Sequence, residues 1–156
     1  MLSVLSGVEP GAVLRSRLTG FAGYLRANGY GTGGADSVRG FRESYLGPLH
    51  QVGNNQPVPT GGNFRVSSQN ELLLPNFFAD DPTAPPKNGR FGVFLDIGMV
   101  FPEVSDFSFT ELRASSGIAA SFLTPIGAMR FSFAYPLRSE DTDETERFQF
   151  TIGTLF

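Results

Sequence analysis

Six segments alternate apolar and polar residues. The chain holds 16 Phe, 19 Gly and 11 Pro but no Trp, and its last ten residues, RFQFTIGTLF, set their large apolar side chains on one face. Together these features predict an all-β fold built from antiparallel transmembrane β-strands, part of a membrane β-barrel. A strand of about ten residues with one apolar face has the length and pattern needed to cross a bilayer. A soluble β-sandwich also alternates, but its solvent face usually carries many Lys and Glu. This chain is only 17% charged, and its second face is small and polar, as in a barrel lumen.

The first strand is predicted over residues 12–24, followed by a long, Gly-rich and weakly periodic stretch at 25–62. The second is expected over residues 63–74, where Phe64, Val66, Leu72 and Leu74 oppose Arg65, Ser67, Gln69 and Glu71, and Pro75 closes it. The run NFFADDPTAPPKN (residues 76–88) is too rich in Pro and Asp to hold a strand and reads as a turn. The third strand, residues 90–100, sets Phe91, Val93, Leu95 and Ile97 against Arg90, Gly92, Phe94, Asp96 and Gly98. The fourth, residues 111–123, ends at a tight Thr124-Pro125-Ile126-Gly127 turn. In the fifth, residues 128–137, Met129, Phe131, Phe133 and Tyr135 oppose Arg130, Ser132 and Ala134. The acidic run SEDTDETE reads as a solvated external turn; Glu140, Asp141, Asp143, Glu144 and Glu146 lack any calcium-loop spacing. In the sixth strand, residues 147–156, Phe148, Phe150, Ile152 and Phe156 share one face, and Arg147, Gln149, Thr151 and Gly153 the other. Six strands are fewer than the roughly eight of the smallest single-chain membrane barrels. An open sheet in lipid leaves edges of unpaired N–H and C=O groups, each costing several kcal/mol. The six are therefore expected to belong to a larger barrel whose other strands lie N-terminal.

Composition excludes several classes. With no cysteine there is neither a disulfide framework nor a thiolate metal site. A net charge of −3 argues against a nucleic-acid surface. No run of 18 apolar residues is present to make a membrane helix. The start, MLSVLSGVEPGAVLRSR, has no basic region, long apolar core or clear cleavage site, and so does not read as a signal peptide. The single histidine, His50, sits in a loop-like stretch, and no Ser/His/Asp set exists, so acid–base or nucleophilic catalysis is not expected. The Gly-rich stretch at 29–34 is not followed by Lys-Ser/Thr or by a helix, which sets aside a phosphate loop. No enzyme activity, cofactor or metal is expected.

Within the long loop, Val38-Arg39-Gly40-Phe41 resembles the VRGF signature of the outer-membrane assembly and two-partner-secretion superfamily, the bacterial surface antigen superfamily. Gly33-Gly34 precede it, Leu46-Gly47-Pro48 follow it, and Gly61-Gly62-Asn63 open the next strand. Phe94-Leu95-Asp96-Ile97-Gly98 resembles the superfamily's aromatic-x-Asp-x-Gly strand. The hairpin RASSGIAASFLTPIGAMRFSFAYPL (residues 113–137) resembles the penultimate hairpin of its assembly branch, and the final FQFTIGTLF resembles the closing strand of that branch. The matches run in order over nearly the whole chain, from about residue 12 to residue 156.

The resemblance implies a partial barrel domain over residues 1–156, the last six strands of a barrel of about sixteen, without the periplasmic repeats that precede the barrel in the superfamily. It implies that residues 25–62 are a long extracellular loop folded into the lumen, with Arg39 meeting Glu71 and Asp96 on the inner wall. One guanidinium between two carboxylates can form bidentate, charge-assisted bonds. It also implies a role for the closing strand: Phe148, Phe150, Ile152, Gly153 and Phe156 would form the C-terminal signal read during assembly. The implied function is assembly and insertion of β-barrel proteins in the bacterial outer membrane. Implied partners are nascent outer-membrane proteins, outer-membrane lipids and lipopolysaccharide, the lipoproteins of an assembly complex, and the N-terminal half of the barrel. Two other classes stay open: a two-partner-secretion or autotransporter-assembly pore of the same superfamily, and a structural porin-like barrel. The Thr124-Pro125-Ile126-Gly127 hairpin favours the assembly branch over the first, and the VRGF context argues against the second.

Overall fold

Among the described residues six long strands follow one another in a single antiparallel meander. The computed structural model describes residues 13–22 (backbone alone), 33–34, 37–51, 53, 57–74, 89–125 and 127–153. The expected turn at 76–88, Ile126, the segment 23–32 and the final residues 154–156, Phe156 among them, lie outside the described residues. In chain order the strands are β1 (Val13–Ala22), β2 (Gly40–Phe41), β3 (Leu49–His50), β4 (Val58–Pro59), β5 (Phe64–Leu73), β6 (Gly89–Phe101), β7 (Arg113–Thr124), β8 (Gly127–Arg138), β9 (Thr145–Glu146) and β10 (Phe148–Gly153). The sheet order is β1-β5-β6-β7-β8-β10, so each long strand pairs with the next long strand in sequence. This is the minimal-crossing solution for strands joined by turns. All six strands expected from alternation are present. The difference lies in the stretch 25–62, whose described part carries three short strands: β3 pairs with β4, and β2 pairs with β9 from the acidic run.

Register sorts side chains onto two faces. Glu71 lies opposite Phe94 and Gln69 opposite Asp96; Asp96 lies opposite Ser115 and Phe94 opposite Gly117; Ser132 lies opposite Gln149. Because strand neighbours alternate faces, these residues share one side, here called the inner face. The distribution of polarity is the reverse of a water-soluble core. On the outer face Phe133 is 56% and Tyr135 62% exposed, whereas inner Asp96 and Ser115 are 0% exposed. Phe91, Val93, Leu95, Ile118, Phe148, Phe150 and Ile152 are also exposed on the outer side. A continuous apolar surface of this extent is suited to lipid and would be an aggregation surface in water. Directly opposed rings tie β8 to β10 across it: Phe133–Phe148 and Phe131–Phe150 each have centroids 4.8 Å apart. The 124–127 turn is pinned by a Thr124 Oγ1 hydrogen bond to the Gly127 carbonyl at 2.7 Å.

The inner face is covered by the loop. Val38, Phe41 and Leu46 form a buried cluster with Met99 packed against it. Small residues on the wall make room: a Cβ on Gly98 of β6 would lie 2.8 Å from Val38 Cγ2. The loop therefore seats its apolar side chains on the wall and carries Arg39 down with them.

Candidate functional site

The site is assembled from the loop and five strands of the wall, β5, β6, β7, β8 and β10. Gly34 donates its N–H to the Phe41 carbonyl at 2.9 Å, across the motif, and Ser37 Oγ donates to the Gly33 carbonyl at 2.6 Å just before it. Gly40 has φ +90°, a conformation that an L side chain rarely adopts. A Cβ there would sit 2.8 Å from Ala134 Cβ and 3.4 Å from Ser115 Cβ. Glycine thus serves twice, in the backbone angle and in the close approach of the loop to β7 and β8.

This approach buries Arg39, which is 2% exposed. Its Nε donates to Asp96 Oδ2 at 2.6 Å and its Nη2 to Asp96 Oδ1 at 2.8 Å, a side-on fork. Its Nη1 donates to Glu71 Oε2 at 3.0 Å. The Arg39 backbone N–H adds a fourth bond, to Asp96 Oδ2 at 3.1 Å. Asp96 therefore holds both the side chain and the backbone of the motif. The guanidinium lies over the Phe94 ring, 3.6 Å from its centroid. Ser115 Oγ donates to the Arg39 carbonyl.

The expectation of one guanidinium between two carboxylates is extended by a second cation. Arg130 Nη2 from β8 also donates to Glu71 Oε2. The chain Asp96, Arg39, Glu71, Arg130 carries two charges of each sign. Burial by itself lowers the proton affinity of Arg39, but the hydrogen bonds and negative charges of Asp96 and Glu71 outweigh it and raise its pKa above the ordinary value. The arginine stays charged between its two carboxylates.

Val38, Gly40 and Phe41 lie beside Arg39 in the buried loop, and Phe148, Phe150 and Ile152 lie on the exposed face of β10, with Gly153 paired to Ala128 of β8. Phe156 lies outside the described residues. Sequence reasoning gave no role to Ser115, Arg130, Phe94 or Gln149, although Phe94, Arg130 and Gln149 were on the polar face. An aromatic at Phe94 among glycine and aspartate was the available signal, because it has no reason to face a lumen except to carry something. The acidic run is for the most part the solvated turn expected, with residues 139–142, Thr145 and Glu146 exposed; Asp143 is the exception. Asp143 is nearly buried: its Oδ2 accepts from Arg113 Nε at 2.6 Å and from the Glu140 N–H at 2.7 Å. Arg113 also reaches Glu140 Oε2 at 2.9 Å. Asp143 turns inward to the buried Arg113 at the start of β7, while Glu140 meets the same arginine from the exposed side. Among the described residues no three His, Cys, Asp or Glu side chains gather as a metal-ligand group.

Comparison with known proteins gives the same outline. Residues 22–156 match the model of the Omp85 superfamily domain. The outer membrane protein assembly factor BamA of Neisseria meningitidis serogroup B is 35% identical over 153 residues, 83% of this chain and 19% of that protein. The BamA of Nitratidesulfovibrio vulgaris is 26% identical over 161 residues, 96% of this chain and 19% of that protein. The chain thus spans about a fifth of the length of these relatives. The crystal structure of BamA from Haemophilus ducreyi lacking POTRA domains 1–3 superimposes with a TM-score of 0.64 at 34% identity, over 80% of this chain and 26% of that one.

Proposed function

Because this chain belongs to the Omp85 superfamily, we propose that it is the closing part of the transmembrane barrel of an outer-membrane protein assembly factor, which inserts and folds β-barrel proteins in the bacterial outer membrane. The Neisseria meningitidis and Nitratidesulfovibrio vulgaris relatives both carry the assembly-factor name, which favours this branch over secretion pores and porins. The single observation that carries the reading is the loop docked on the inner face through buried Arg39 and Asp96, directly against the final strand. The stretch 25–62 is the extracellular loop of that barrel, and the full barrel has about sixteen strands.

The activity is not enzymatic. A nascent barrel strand in lipid must satisfy every backbone N–H and C=O, and each unsatisfied group costs several kcal/mol. Among the described residues β10 has a sheet partner on one side, β8. The other edge of β10 presents a row of donors and acceptors that closes the barrel or, when opened, templates an incoming strand by β-augmentation. The partners are nascent outer-membrane proteins, outer-membrane lipids and lipopolysaccharide, and the lipoproteins of an assembly complex. Val38, Arg39, Gly40 and Phe41 with Glu71 and Asp96 hold the loop in place, and the closing strand through Phe156 carries the recognition signal. A buried ion network of this kind is better suited to selecting one loop position than to raising stability.

A chimera tests the reading. Residues 1–156 replace the aligned segment of the Neisseria meningitidis relative, and outer-membrane barrel proteins are quantified after depletion of the resident factor. The chimera is expected to maintain them. A chimera that inserts, resists heat unfolding and exports a two-partner-secretion substrate, yet leaves barrel proteins depleted, would reassign the chain to the secretion branch.

A further inference from the structure

The residues that lead into the final strand are held by the loop and not by the sheet. β8 has twelve residues, but β10 pairs only with those from Ala128 to Phe133. The last rung above them is the Ala134 N–H to the Arg147 carbonyl at 2.8 Å. Before that point the chain leaves β8 and turns inward. Thr145 and Glu146 pair with Phe41 and Gly40 of the loop. The Arg42 N–H donates to the Glu144 carbonyl at 2.9 Å, and Arg42 Nη1 meets Glu144 Oε2 at 2.5 Å. From β10 itself Gln149, 6% exposed, sends its amide into the motif. Its Nε2 donates to the Phe41 carbonyl at 2.8 Å, and its Oε1 accepts from the Gly40 N–H at 3.4 Å. One side chain thus completes the backbone of the two residues that follow Arg39.

We propose that Gln149 is a positioning residue that couples the docking of the 38–41 loop to the order of the first half of β10, the strand whose free edge templates substrate. The bonds to β9, Glu144 and Gln149 all end on residues 40–42, next to the residue latched by Asp96. They are made or lost together with the latch. With the loop docked, residues 144–149 are held inward. With the loop displaced, these residues keep the Phe148–Phe133 and Gln149–Ser132 pairs to β8, the bond from the Ala134 N–H to the Arg147 carbonyl, and the Arg113 clamp on Asp143 and Glu140. The consequence for activity rests on the assembly reading; the coupling itself does not.

The test uses the full-length protein that carries this barrel segment, in four forms: wild type, Arg39→Ala, Gln149→Met and the double variant. Met keeps an unbranched chain and removes both amide bonds. Backbone amide hydrogen exchange is read at residues 145–149, with residues 116–122 of β7 as the internal reference. Arg39→Ala is expected to speed exchange at 145–149 by about tenfold or more with β7 unchanged, because local opening governs exchange there. In the Gln149→Met background the same substitution should add less than about threefold, the signature of coupled sites. Multiplicative effects, or no change at 145–149 in Arg39→Ala, overturn the proposal. If Gln149→Met does not fold, the Arg39→Ala measurement alone decides it. Substrate folding by the same proteins in liposomes reads the assembly function separately: coupled exchange without folding activity defeats the assembly reading and leaves the coupling standing.

Discussion

Replacing Arg39 by alanine should open the loop, and nearly all of the cost should fall on Asp96. The substitution removes the Nε and Nη2 bonds to Asp96 at 2.6 and 2.8 Å and the Nη1 bond to Glu71 at 3.0 Å. Sequence reasoning alone would leave two buried carboxylates stranded. The structure leaves one, because Glu71 keeps Arg130. Asp96, 0% exposed, keeps the N–H of residue 39 only while the loop stays docked. Removing one partner of a buried ion pair costs about 3–5 kcal/mol, and the lost contact with the Phe94 ring lies within that range. At about 1.4 kcal/mol per tenfold, opening should become on the order of a hundred- to a few-thousand-fold more frequent. Glu71→Ala is the contrast. Arg39 retains its fork on Asp96, and the released Arg130, whose side chain is 38% exposed, is solvated, so the cost should be about 1 kcal/mol or less. Amide exchange at Gly40 and Phe41 in the full-length protein measures both, against strand amides that report the barrel. Equal opening in Glu71→Ala and Arg39→Ala, or less than about tenfold in Arg39→Ala, would refute the assignment of Asp96 as the principal anchor.

The other predictions test the fold around the latch. Gly40→Ala should undock the loop by at least about tenfold in the same exchange measurement, since a left-handed Ala costs about 1–2 kcal/mol before its clash with Ala134; adding Ala134→Gly should restore only part, because the backbone angle remains. Ile118→Arg, in the middle of β7 on the outer face, should lower the folding free energy in bilayers by about 2–4 kcal/mol; a change within about 0.5 kcal/mol, as on a water-exposed surface, would contradict the lipid-facing assignment. Phe156→Asp should reduce the amount of full-length protein in the outer membrane far more than it lowers the melting temperature of the protein that inserts; equal, large losses would make Phe156 a stability residue and not a signal.

The six strands were legible because lipid and lumen impose opposite demands on alternate side chains. Phe91, Val93 and Leu95 can only face outward if Phe94 and Asp96 face inward, so period two reveals both faces at once. The motif around Arg39 was legible by resemblance, and strand parity independently put Glu71 and Asp96 on the inner side. Parity states a face and not a distance. The ladder row through Glu71 passes Phe94 and Gly117 and meets β8 at Ala134, four positions from Arg130. Only the three-dimensional path of a long side chain over a wall lined by small residues brings Arg130 to Glu71. The acidic run shows the same limit: its composition reads as a solvated turn, which most of it is, but does not single out Asp143 as the carboxylate that turns inward. Arg113 lies about thirty residues earlier in the chain, and only folding brings its buried charge to Asp143 and sets the run against the loop. Local pattern records which solvent each residue meets; which charges meet each other depends on how strands distant in sequence are laid side by side, and that was decided by the tertiary structure.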